Sequence, residues 1–530
     1  MMFDIISPVA LLSLTILVEL LAFRYFRSSR NLRTLPLPPG PKRLPILGNA
    51  HDIPLNKQWL TFQRWAEEHG DVVYLNLLGQ SVVVLNSAQA ITDLLDKRSA
   101  IYSDRFKSTV VPLIGWDWNV ALMGYGLKWR QTRRAFHEYF HSGVVQQYQH
   151  TQLSGARKYL TRLLENPGNF VQDLRYDLGA TILEVSYGIK AKDTGDEYIA
   201  IGERAVEGPT KALVLGALWV EFIPALRHLP PWWPGASYLR KAGTWREEAL
   251  ALKNVPFTKA MSDFRDSAGF WSIASDIMAQ DHGLGDALEK EELAKNVAVV
   301  TYGAGADASF STLQTFFLAM ALYPEVQRKA QAELEAVVGP HRLPEFDDQK
   351  TLPYIHGIVK ECLRWQNVFT LGLPHRLMEE DEYRGYRIPR GSIVHGNIWV
   401  MSRNAKAFPD PEVFNPERYF KEDGTWNADV PDPSLFAFGF GRRACPGRHF
   451  ATASIYIYAA SILHAYNIST KRDLDGKPIE IKADMVSGVV TYPEKFDCDI
   501  TPRSADAKAL VGFCATEGGS MCSYSDEANI

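Results

Sequence analysis

Cysteine is scarce in this chain of 530 residues, which contains only five. Their number is odd, their spacing is wide and no CxxC pair occurs, which excludes a disulfide scaffold and a zinc cage. An excess of positive charge is also lacking: the net charge of −4 gives no reason to expect a nucleic-acid partner. Reduced sulfurs fit a body that faces the cytosol. With 46% hydrophobic residues, the chain can form a large buried core.

Long apolar runs are otherwise rare, so the stretch from Ile5 to Phe23 stands out. As a helix rising ~1.5 Å per residue, it approaches the ~30 Å hydrocarbon thickness of a bilayer. Four arginines follow it by position 33, which places the body in the cytosol. A cleaved signal peptide is the alternative, although no basic residue precedes the run. We predict a membrane anchor with its basic flank over 1–33 and a stiff, proline-rich linker over 34–50.

Helical periodicity dominates the remaining chain. A β-hairpin is indicated over 71–86, where two β-branched runs surround Gly79-Gln80. The clear helix candidates are 128–149, 287–323, 324–338, 352–365 and 448–466. Shorter strand-like pieces lie near 383–398 and 485–500. The polar, small-residue-rich segment 504–530 is typical of a disordered tail. The pattern predicts a mainly α body with minor β sheet.

The segment "FAFGFGRRACPGRHF" places one sulfur, Cys445, directly after two arginines and among glycines. A sulfur that ligates a metal must be deprotonated, and nearby cations favour the thiolate. The N-terminus of the helical run that begins at Arg448 acts in the same direction. The glycines permit a tight turn and let a flat ligand approach the backbone. A buried structural cysteine is the alternative for Cys445 taken alone.

The spacing of this segment is more specific than its composition. Phe438, Gly441, Arg443, Cys445 and Gly447 match F-x-x-G-x-R-x-C-x-G without a gap. This resembles the haem-binding loop of the cytochrome P450 family, and the resemblance extends over roughly 35–503. It implies the P450 fold, with 51–503 as the haem-thiolate catalytic domain. It also implies that Cys445 is the axial thiolate ligand of a haem iron, an arrangement that favours O–O cleavage.

Other motifs appear in the order of that family. The resemblance implies that Glu361 and Arg364 in "KECLRW" join Arg418 of "FNPERYF" in a buried charged cluster. Without the resemblance, E-x-x-R is a common solvated helix pair. Phe438 is expected to cover the sulfur. The contacts implied for the haem propionates are Arg105 in "YSDRF", Trp129 and Arg133 in "KWRQTRR", His375 in "LPHR", and Arg443.

The segment "NVAVVTYGAGADASFSTL" supports two interpretations. Gly303, Gly305 and Ala308 satisfy G-x-G-x-x-A, the outline of a dinucleotide-binding turn. The following residues remain helical, however, and no second strand ending in an acid appears. The alternative is a long helix crossing the haem, since residues 304–309 resemble the family's A-G-x-D-T-T.

In that second interpretation, small residues Ala304 and Gly305 leave room for dioxygen, and Asp307 with Ser309 relays protons to it. Ala308 departs from the family's first threonine. Ser309 points about 100° away on a helix, so it does not simply inherit the role. This departure keeps a second class open, namely a haem-thiolate peroxygenase, isomerase or dehydratase that needs no reductase.

Four mostly apolar segments are expected to line the pocket: 108–124, 211–226, 367–374 and 487–493. Their aromatic candidates are Trp116, Trp118, Trp219, Phe222, Phe369 and Tyr492. Such a pocket suits a lipophilic small molecule, namely a terpenoid, another secondary metabolite or a xenobiotic. The resemblance is strongest to fungal members of secondary metabolism. Trp232 and Trp233 lie between prolines, in a loop that either dips into lipid or packs on the body.

The sequence contains no flavin or nicotinamide domain, so the electrons come from a separate protein. The resemblance implies an NADPH–cytochrome P450 reductase, with cytochrome b5 as a further candidate partner. An exposed basic face is expected to dock it, formed by Lys128, Arg130, Arg134, Arg442 and Arg448. We expect a single-pass monooxygenase of the endoplasmic reticulum membrane with its catalytic domain in the cytosol. A membrane-bound dinucleotide enzyme without haem is the remaining alternative.

Overall fold

The computed structural model describes residues 35–233, 236–266, 271–280 and 286–516. The α-helices are α1 (Gln58–His69), α2 (Ala88–Ile91), α3 (Ser99–Tyr102), α4 (Val110–Leu113), α5 (Leu127–Phe140), α6 (Gln149–Glu165), α7 (Phe170–Tyr187), α8 (Glu197–Ala205), α9 (Glu207–Ala212), α10 (Tyr238–Asp266), α11 (Ile273–Ala279), α12 (Ala287–Leu322), α13 (Pro324–Val337), α14 (Pro353–Trp365), α15 (Ile398–Ser402), α16 (Ser434–Ala437), α17 (Arg448–Ala465) and α18 (Ala505–Thr516).

Strands and short helical turns complete the structure. The strands are β1 (Val72–Leu77), β2 (Gln80–Leu85), β3 (Asp104–Arg105), β4 (His375–Arg376), β5 (Asp381–Tyr383), β6 (Tyr386–Ile388), β7 (Ile393–Gly396), β8 (Tyr466–Thr470), β9 (Met485–Val486), β10 (Tyr492–Pro493) and β11 (Cys498–Pro502). Short 3-10 turns lie at Val145–Tyr148, Pro167–Asn169, Trp219–Glu221, Pro224–His228, Phe346–Thr351, Pro416–Tyr419 and Gly441–Arg443, and a π-helical turn lies at Thr92–Lys97. The mainly α fold with minor β sheet is confirmed.

The longest helix, α12, has 36 residues and organises the core. It begins where the Asp286 side chain accepts from the backbone N–H of Leu288, and it ends just before Pro324. Gly303, Gly305 and Ala308 all lie inside this helix. The dinucleotide-binding interpretation is therefore wrong, because it requires a strand and a turn at these positions.

Two apolar core clusters meet along α12. The first core cluster surrounds residues 310–321 of the helix and packs them against α6, α14 and α17. The second core cluster surrounds residues 293–302 and packs them against α5, α10 and α11. Between them, residues 303–309 are mostly small and contribute little to either cluster. A cavity of about 270 Å³ opens along this stretch.

A mixed five-stranded sheet has the order β1-β2-β7-β4-β3. The β1–β2 hairpin confirms the prediction, and its turn uses positive φ angles of 52° at Leu78 and 88° at Gly79. Strand β7 runs parallel to β2 and antiparallel to β4. The register of β3 with β4 places Arg105 opposite His375, two residues predicted to contact the same ligand.

The structure differs from the prediction at both ends of the body. Helix α18 buries Leu510 and Val511 in the first core cluster, so the predicted disordered tail is wrong for its residues. The segment 35–50 is not a free linker, because the Pro39 carbonyl accepts from the backbone N–H of Tyr74 at 2.8 Å. A Cβ on Gly40 would lie 2.1 Å from the Tyr74 carbonyl oxygen, so only glycine fits there.

Two predictions fall partly or wholly outside the described residues. These are the membrane anchor with its basic flank over 1–33 and the tail beyond residue 516. Within the described ranges, no helix combines the length and apolarity needed to cross a bilayer.

Candidate active site

A cavity of about 270 Å³ separates helix α12 from the loop that carries Cys445. Most of the residues predicted for the site line it. They are Arg105, Trp129, Arg133, Ala304, Gly305, Ser309, His375, Phe438, Arg443, Cys445 and Gly447. Asp307 is the predicted site residue that the cavity lining lacks. The structure thus brings together residues from five separate parts of the chain.

Backbone geometry shapes the cysteine loop. The backbone N–H of Cys445 donates to the Phe438 carbonyl at 2.7 Å, which closes the loop on itself. Gly441 has φ +53°, and a Cβ there would approach the Leu95 carbonyl oxygen to 2.5 Å. Gly447 differs: its φ is −87°, and a Cβ would meet no protein atom within 4 Å. Its glycine therefore leaves open space beside the sulfur.

The electrostatics of the sulfur differ from the prediction. Burial raises the pKa of the Cys445 thiol, and it outweighs the opposing effects of the Gly447 N–H, Arg133 and Arg448. Arg442, which was expected to act on the sulfur, donates to the Tyr125 hydroxyl at 2.6 Å. A cation bound at the sulfur, such as a haem iron, would supply the charge that a buried thiolate lacks.

The cavity edge holds two guanidinium groups without a described acid partner. Arg105 donates to the carbonyls of Ala121, Leu373 and Pro374 at 2.7–2.9 Å. Burial lowers the pKa of Arg105 to about 9, and the nearby Arg443 adds to the effect. Cations that contact only neutral carbonyls in a buried site favour an anionic ligand.

Arg443, in the 3-10 turn Gly441–Arg443, repeats this arrangement. It donates to the carbonyls of Ser103, Val120 and Met123 at 2.7–3.1 Å. Its guanidinium lies 4.4 Å from the Trp129 ring centroid, and burial lowers its pKa to about 10. The edge therefore offers two fixed positive charges, a donor set that fits the two propionates of haem.

The other three predicted contacts differ in what they touch. His375 Nδ1 lies 2.7 Å from the Tyr102 carbonyl, and burial holds its pKa well below the ordinary value, so the ring is neutral. Arg133 donates to the Ala444 carbonyl at 2.5 Å, next to the sulfur. It therefore supports the cysteine loop as well as lining the cavity. The ring of Trp129 contacts the guanidinium of Arg443, which lies over it.

Three features of the cavity show whether a haem would fit: the sulfur of Cys445, the open space at Gly447, and the two arginines at the cavity edge, here called the cation edge. The sulfur faces the cavity, Gly447 leaves space for a flat ring, and Arg105 and Arg443 present positive charge where carboxylates would lie. These residues fit a haem with Cys445 as its iron ligand. Small side chains of α12 form the opposite wall.

On that opposite wall, Ala308 places a methyl group where the family pattern has a hydroxyl. Ser309 is buried at 3% exposure and lines the cavity. Gly305 has a reason the sequence did not reveal: a Cβ there would lie 2.9 Å from Cδ1 of Ile182 on α7. Close packing of α12 on α7 therefore favours this glycine, because a Cβ would displace the Ile182 side chain, in addition to any need for dioxygen space.

Asp307 points away from the cavity lining. Its Oδ1 pairs with Arg175 Nη2 at 3.1 Å, and its Oδ2 accepts from the Tyr492 hydroxyl. Arg175 also lies 4.4 Å from the Phe310 ring centroid. The structure therefore does not bring Asp307 and Ser309 together, and a relay between them requires Asp307 to leave these partners.

The charged cluster implied for α14 is present. Arg364 donates to both carboxylate oxygens of Glu361 at 2.8 Å, and Arg418 donates at 3.1 Å. The Tyr419 hydroxyl adds a bond of 2.9 Å to the same carboxylate. Glu361 and Arg364 have no exposed side-chain surface. The cluster holds the 3-10 turn Pro416–Tyr419 against α14. This turn precedes the cysteine loop in the chain.

A smaller cavity of about 130 Å³ adjoins the first and shares Arg105 and residues 371–373 with it. All four segments predicted to line the pocket contribute to it: residues 108–122, 212–222, 370–374 and 487–489. Phe222 lines this cavity and Phe369 lines the larger one. The four segments therefore line a cavity, and their contact with a substrate stays a prediction.

The other aromatic candidates lie elsewhere. Trp116 and Trp118 stack on each other at 5.0 Å within the second core cluster. Trp219 is 51% exposed, and Tyr492 is bonded to Asp307. Trp232 and Trp233 are exposed, which favours the lipid-facing interpretation of their loop over the packed one.

Sequence reasoning missed Thr301, which lines the larger cavity one turn before Ala304. Its buried hydroxyl has no hydrogen-bond partner among the described residues. The other buried helical threonines each donate to the carbonyl four residues earlier: Thr132, Thr181, Thr312 and Thr315. The sequence carries no signal that would show whether a helical threonine bonds the carbonyl four residues earlier or leaves its hydroxyl without a partner.

A cavity bounded by a cysteine loop, a cation edge and a small-residue helix defines a haem-thiolate enzyme. The chain belongs to the cytochrome P450 family, whose profile, "Cytochrome P450", matches residues 38–192 and 257–498. It is an oxidoreductase of the cytochrome P450 monooxygenase class, for which haem is the cofactor and O2 the oxidant.

Curated fungal proteins are similar to the chain over nearly its full length. It is 41% identical to the cytochrome P450 monooxygenase COX2 of Coprinopsis cinerea, over 89% of this chain and 90% of that protein. It is 40% identical to the cytochrome P450 monooxygenase ple1 of Rhodocybe pseudopiperita, over 92% and 94%. It is 38% identical to the tryptamine 4-monooxygenase of Psilocybe cyanescens, over 91% and 96%. These relatives support a monooxygenase of fungal secondary metabolism.

Proposed function

We propose that the protein is a membrane-anchored monooxygenase that inserts one oxygen atom from O2 into a lipophilic small molecule. A separate NADPH–cytochrome P450 reductase supplies the electrons. The observation that carries the proposal is the position of Cys445, which faces the small residues of α12 across a cavity edged by unpaired cations. The proposed substrates are terpenoids, other secondary metabolites and xenobiotics.

When bound, the haem supplies oxygen activation through its thiolate ligand. Arg105 and Arg443 would hold its carboxylates at the edge of the cavity. The neutral ring of His375 lies at the same edge, opposite Arg105 on the neighbouring strand. The apolar walls exclude water from the reacting carbon. Ser309 carries a buried hydroxyl beside Ala308 and is the proposed holder of the proton on the oxygen side of the cavity.

The charge of the cavity walls favours a neutral substrate. Among the described lining residues of both cavities, Glu221 is the only carboxylate. It already accepts from the backbone N–H groups of Thr109 and Val110 at 3.1 and 3.0 Å. Apart from Glu221, a cationic amine would find no counter-charge among the described lining residues. One relative is named for tryptamine, but these walls support a neutral lipophilic molecule for this chain.

A second candidate function uses the same haem without a reductase, as a peroxygenase, isomerase or dehydratase. Ala308 favours it, because the hydroxyl that the family places there is missing. The exposed basic face favours the monooxygenase instead. Its five residues, Lys128, Arg130, Arg134, Arg442 and Arg448, are exposed on the sulfur side of the molecule, where an acidic reductase or cytochrome b5 would dock.

The deciding experiment reconstitutes the full-length haem-loaded protein with an NADPH–cytochrome P450 reductase in lipid vesicles. A thiolate-type spectrum of the reduced carbon monoxide complex is expected, together with NADPH-dependent oxygen uptake and an oxygenated product from a panel of neutral terpenes. The uptake should weaken with salt, since the docking is electrostatic. Product formation without NADPH would instead support the second candidate. Absence of the spectrum would contradict both functions.

The cellular part of the proposal is an endoplasmic reticulum membrane protein with a single span and a cytosolic catalytic domain. It is supported by the apolar run and the arginines that follow it. Protease protection in microsomes tests the orientation. Cleavage of the catalytic domain from outside intact vesicles is expected, and protection of that domain would contradict it.

A further inference from the structure

The smaller cavity carries a polar group that no step above has used. Its walls are mostly apolar and come from the sheet, from residues 212–222 and from residues 487–489. Arg105 and residues 371–373 line both this cavity and the larger one, so the two cavities are neighbours. A substrate that reaches the haem from this side would therefore keep one end in the smaller cavity.

Most charged and amide groups of that wall already have partners. Gln58 Nε2 donates to the carbonyls of Pro54 and Leu215 at 2.8 and 2.7 Å. Lys57 pairs with Asp484 at 2.5 Å. Arg105 donates to three carbonyls, and Glu221 accepts from two backbone N–H groups, as described above. Each of these four side chains therefore has at least one partner within the protein, and Arg105 is also the group proposed to hold a haem carboxylate.

His395 is the exception. It lies on the buried strand β7, is 5% exposed and lines the smaller cavity. Neither ring nitrogen has a hydrogen-bond partner among the described residues. Burial, assisted by Arg105, lowers the pKa of His395 to about 4, so the ring is neutral and offers one donor and one acceptor. Buried polar groups without a partner are rare in proteins.

The Leu371 carbonyl beside His395 indicates whether the donor or the acceptor of the ring is left for a ligand. The Leu371 carbonyl interacts with the ring, although outside hydrogen-bond geometry. A carbonyl accepts only, so it favours the tautomer that turns the N–H towards it. The remaining nitrogen is then an acceptor, and it requires a donor from the cavity.

We propose that His395 is a specificity residue that accepts a hydrogen bond from a hydroxyl or N–H group of an otherwise apolar substrate. The inference rests on the proposed function, because it assumes a small molecule that spans both cavities. It defines the substrate class further: one donor group at the end in the smaller cavity, and the oxidised carbon at the end near Cys445.

The test uses matched probes that differ in one donor. The first pair is 1-adamantanol and 1-methyladamantane, and the second is indole and indene. Dissociation constants are measured by calorimetry on the full-length haem-loaded protein, which requires no turnover. The wild type should bind the donor member of at least one pair more tightly, and His395→Leu should reduce that preference about three- to tenfold, as expected for one hydrogen bond.

Two further variants separate the hydrogen bond from cavity shape. His395→Gln keeps an acceptor and should retain part of the preference. Ile393→Val is the matched control: it lies on the same strand and lines the same cavity, but it changes only apolar volume. It should alter the affinities of both members of a pair equally. If His395→Leu fails to bind haem, His395→Phe takes its place with the same expectation.

An unchanged preference in the His395→Leu protein would overturn the inference. So would the absence of a donor preference, or of any binding, across both pairs in the wild type. These outcomes are distinct from failure of the proposed function. A protein that oxygenates terpenes but shows no role of His395 contradicts only this inference, whereas one that binds donors through His395 without oxygenation contradicts only the function.

Discussion

At the scale of single residues, the proposed chemistry depends on two side chains on opposite walls of the larger cavity. Cys445 is held by a local loop, whose shape depends on Gly441 and on the bond from its own N–H to the Phe438 carbonyl. Ser309 is held by its position on α12. The position of Cys445 is specified by its neighbours in the chain, whereas the direction of the Ser309 side chain depends on how α12 is rotated in the fold. The sequence therefore predicts the first position better than the second.

Cys445→Ser should abolish the thiolate-type spectrum of the reduced carbon monoxide complex and with it essentially all oxygenation. The reason is that a hydroxyl is a far weaker iron ligand than a thiolate. The control is Cys498→Ala, because Cys498 is also buried but lies on β11 away from the cavity lining. That protein should keep both properties. A wild-type spectrum in Cys445→Ser would refute the assignment of the ligand.

Ser309→Ala should leave NADPH oxidation in place but lower the product formed per NADPH by roughly tenfold or more, with hydrogen peroxide in its place. The methyl group cannot hold a proton near the oxygen. Ser311→Ala is the control, because that hydroxyl donates to the Thr491 carbonyl at 2.6 Å, outside the cavity lining. Unchanged coupling in Ser309→Ala would remove Ser309 from the relay and indicate a water or a substrate hydroxyl.

At the scale of elements, the buried cluster on α14 ties this helix to the 3-10 turn Pro416–Tyr419. Glu361 receives Arg364 from its own helix, and Arg418 and Tyr419 from the following 3-10 turn. A carboxylate that is bonded on both oxygens cannot be replaced without leaving guanidinium groups unpaired in the core. Buried ion pairs therefore hold the turn Pro416–Tyr419 against α14.

Glu361→Gln should lower the apparent free energy of unfolding by about 3–5 kcal/mol, because it leaves buried cations without their counter-charge. The measurement is the urea midpoint of the haem-loaded protein. The control is Glu207→Gln on α9, where an exposed pair with Lys211 is broken at a cost of at most about 1 kcal/mol. Equal midpoints for the two variants would show that the α14 cluster does not stabilise the fold.

At the scale of the whole molecule, buried histidines couple stability to pH. Burial and the charge of Arg503 lower the pKa of His464 to about 4, while the unfolded chain keeps the ordinary value near 6.5. The unfolded state therefore binds a proton between these values that the folded state does not. Stability is lost as the pH falls through this window. His395 acts in the same direction, and Asp177, whose pKa burial raises to about 7, acts in the opposite one.

His464→Gln should make the loss of stability between pH 6.5 and 4 shallower by up to about 3 kcal/mol. The measurement is the urea midpoint as a function of pH for both proteins. Because the other titrating groups remain in the variant, the difference between the curves isolates His464. Parallel curves would contradict the assignment of a neutral, buried ring at this position.

How much was predictable follows from where each contact partner lies in the sequence. Long helices such as α12 and α17 were located to within a residue or two, because a 3.6-residue apolar period is a local signal. The docking of α18 was missed, since its polar, small-residue composition hides two core side chains. Trp116 and Trp118 were assigned to the pocket but pack on each other, which composition alone cannot show.

The sequence by itself determined the helical body, the hairpin and the loop that presents Cys445, because each depends on residues that are neighbours in the chain and impose their own turn or period. The tertiary structure alone decided which groups are free to act. Asp307 is occupied by Tyr492, 185 residues later, and His395 faces a cavity walled by segments from across the chain. Such pairings depend on how packed elements meet, and a polar residue in the sequence does not show whether the fold will give it a partner.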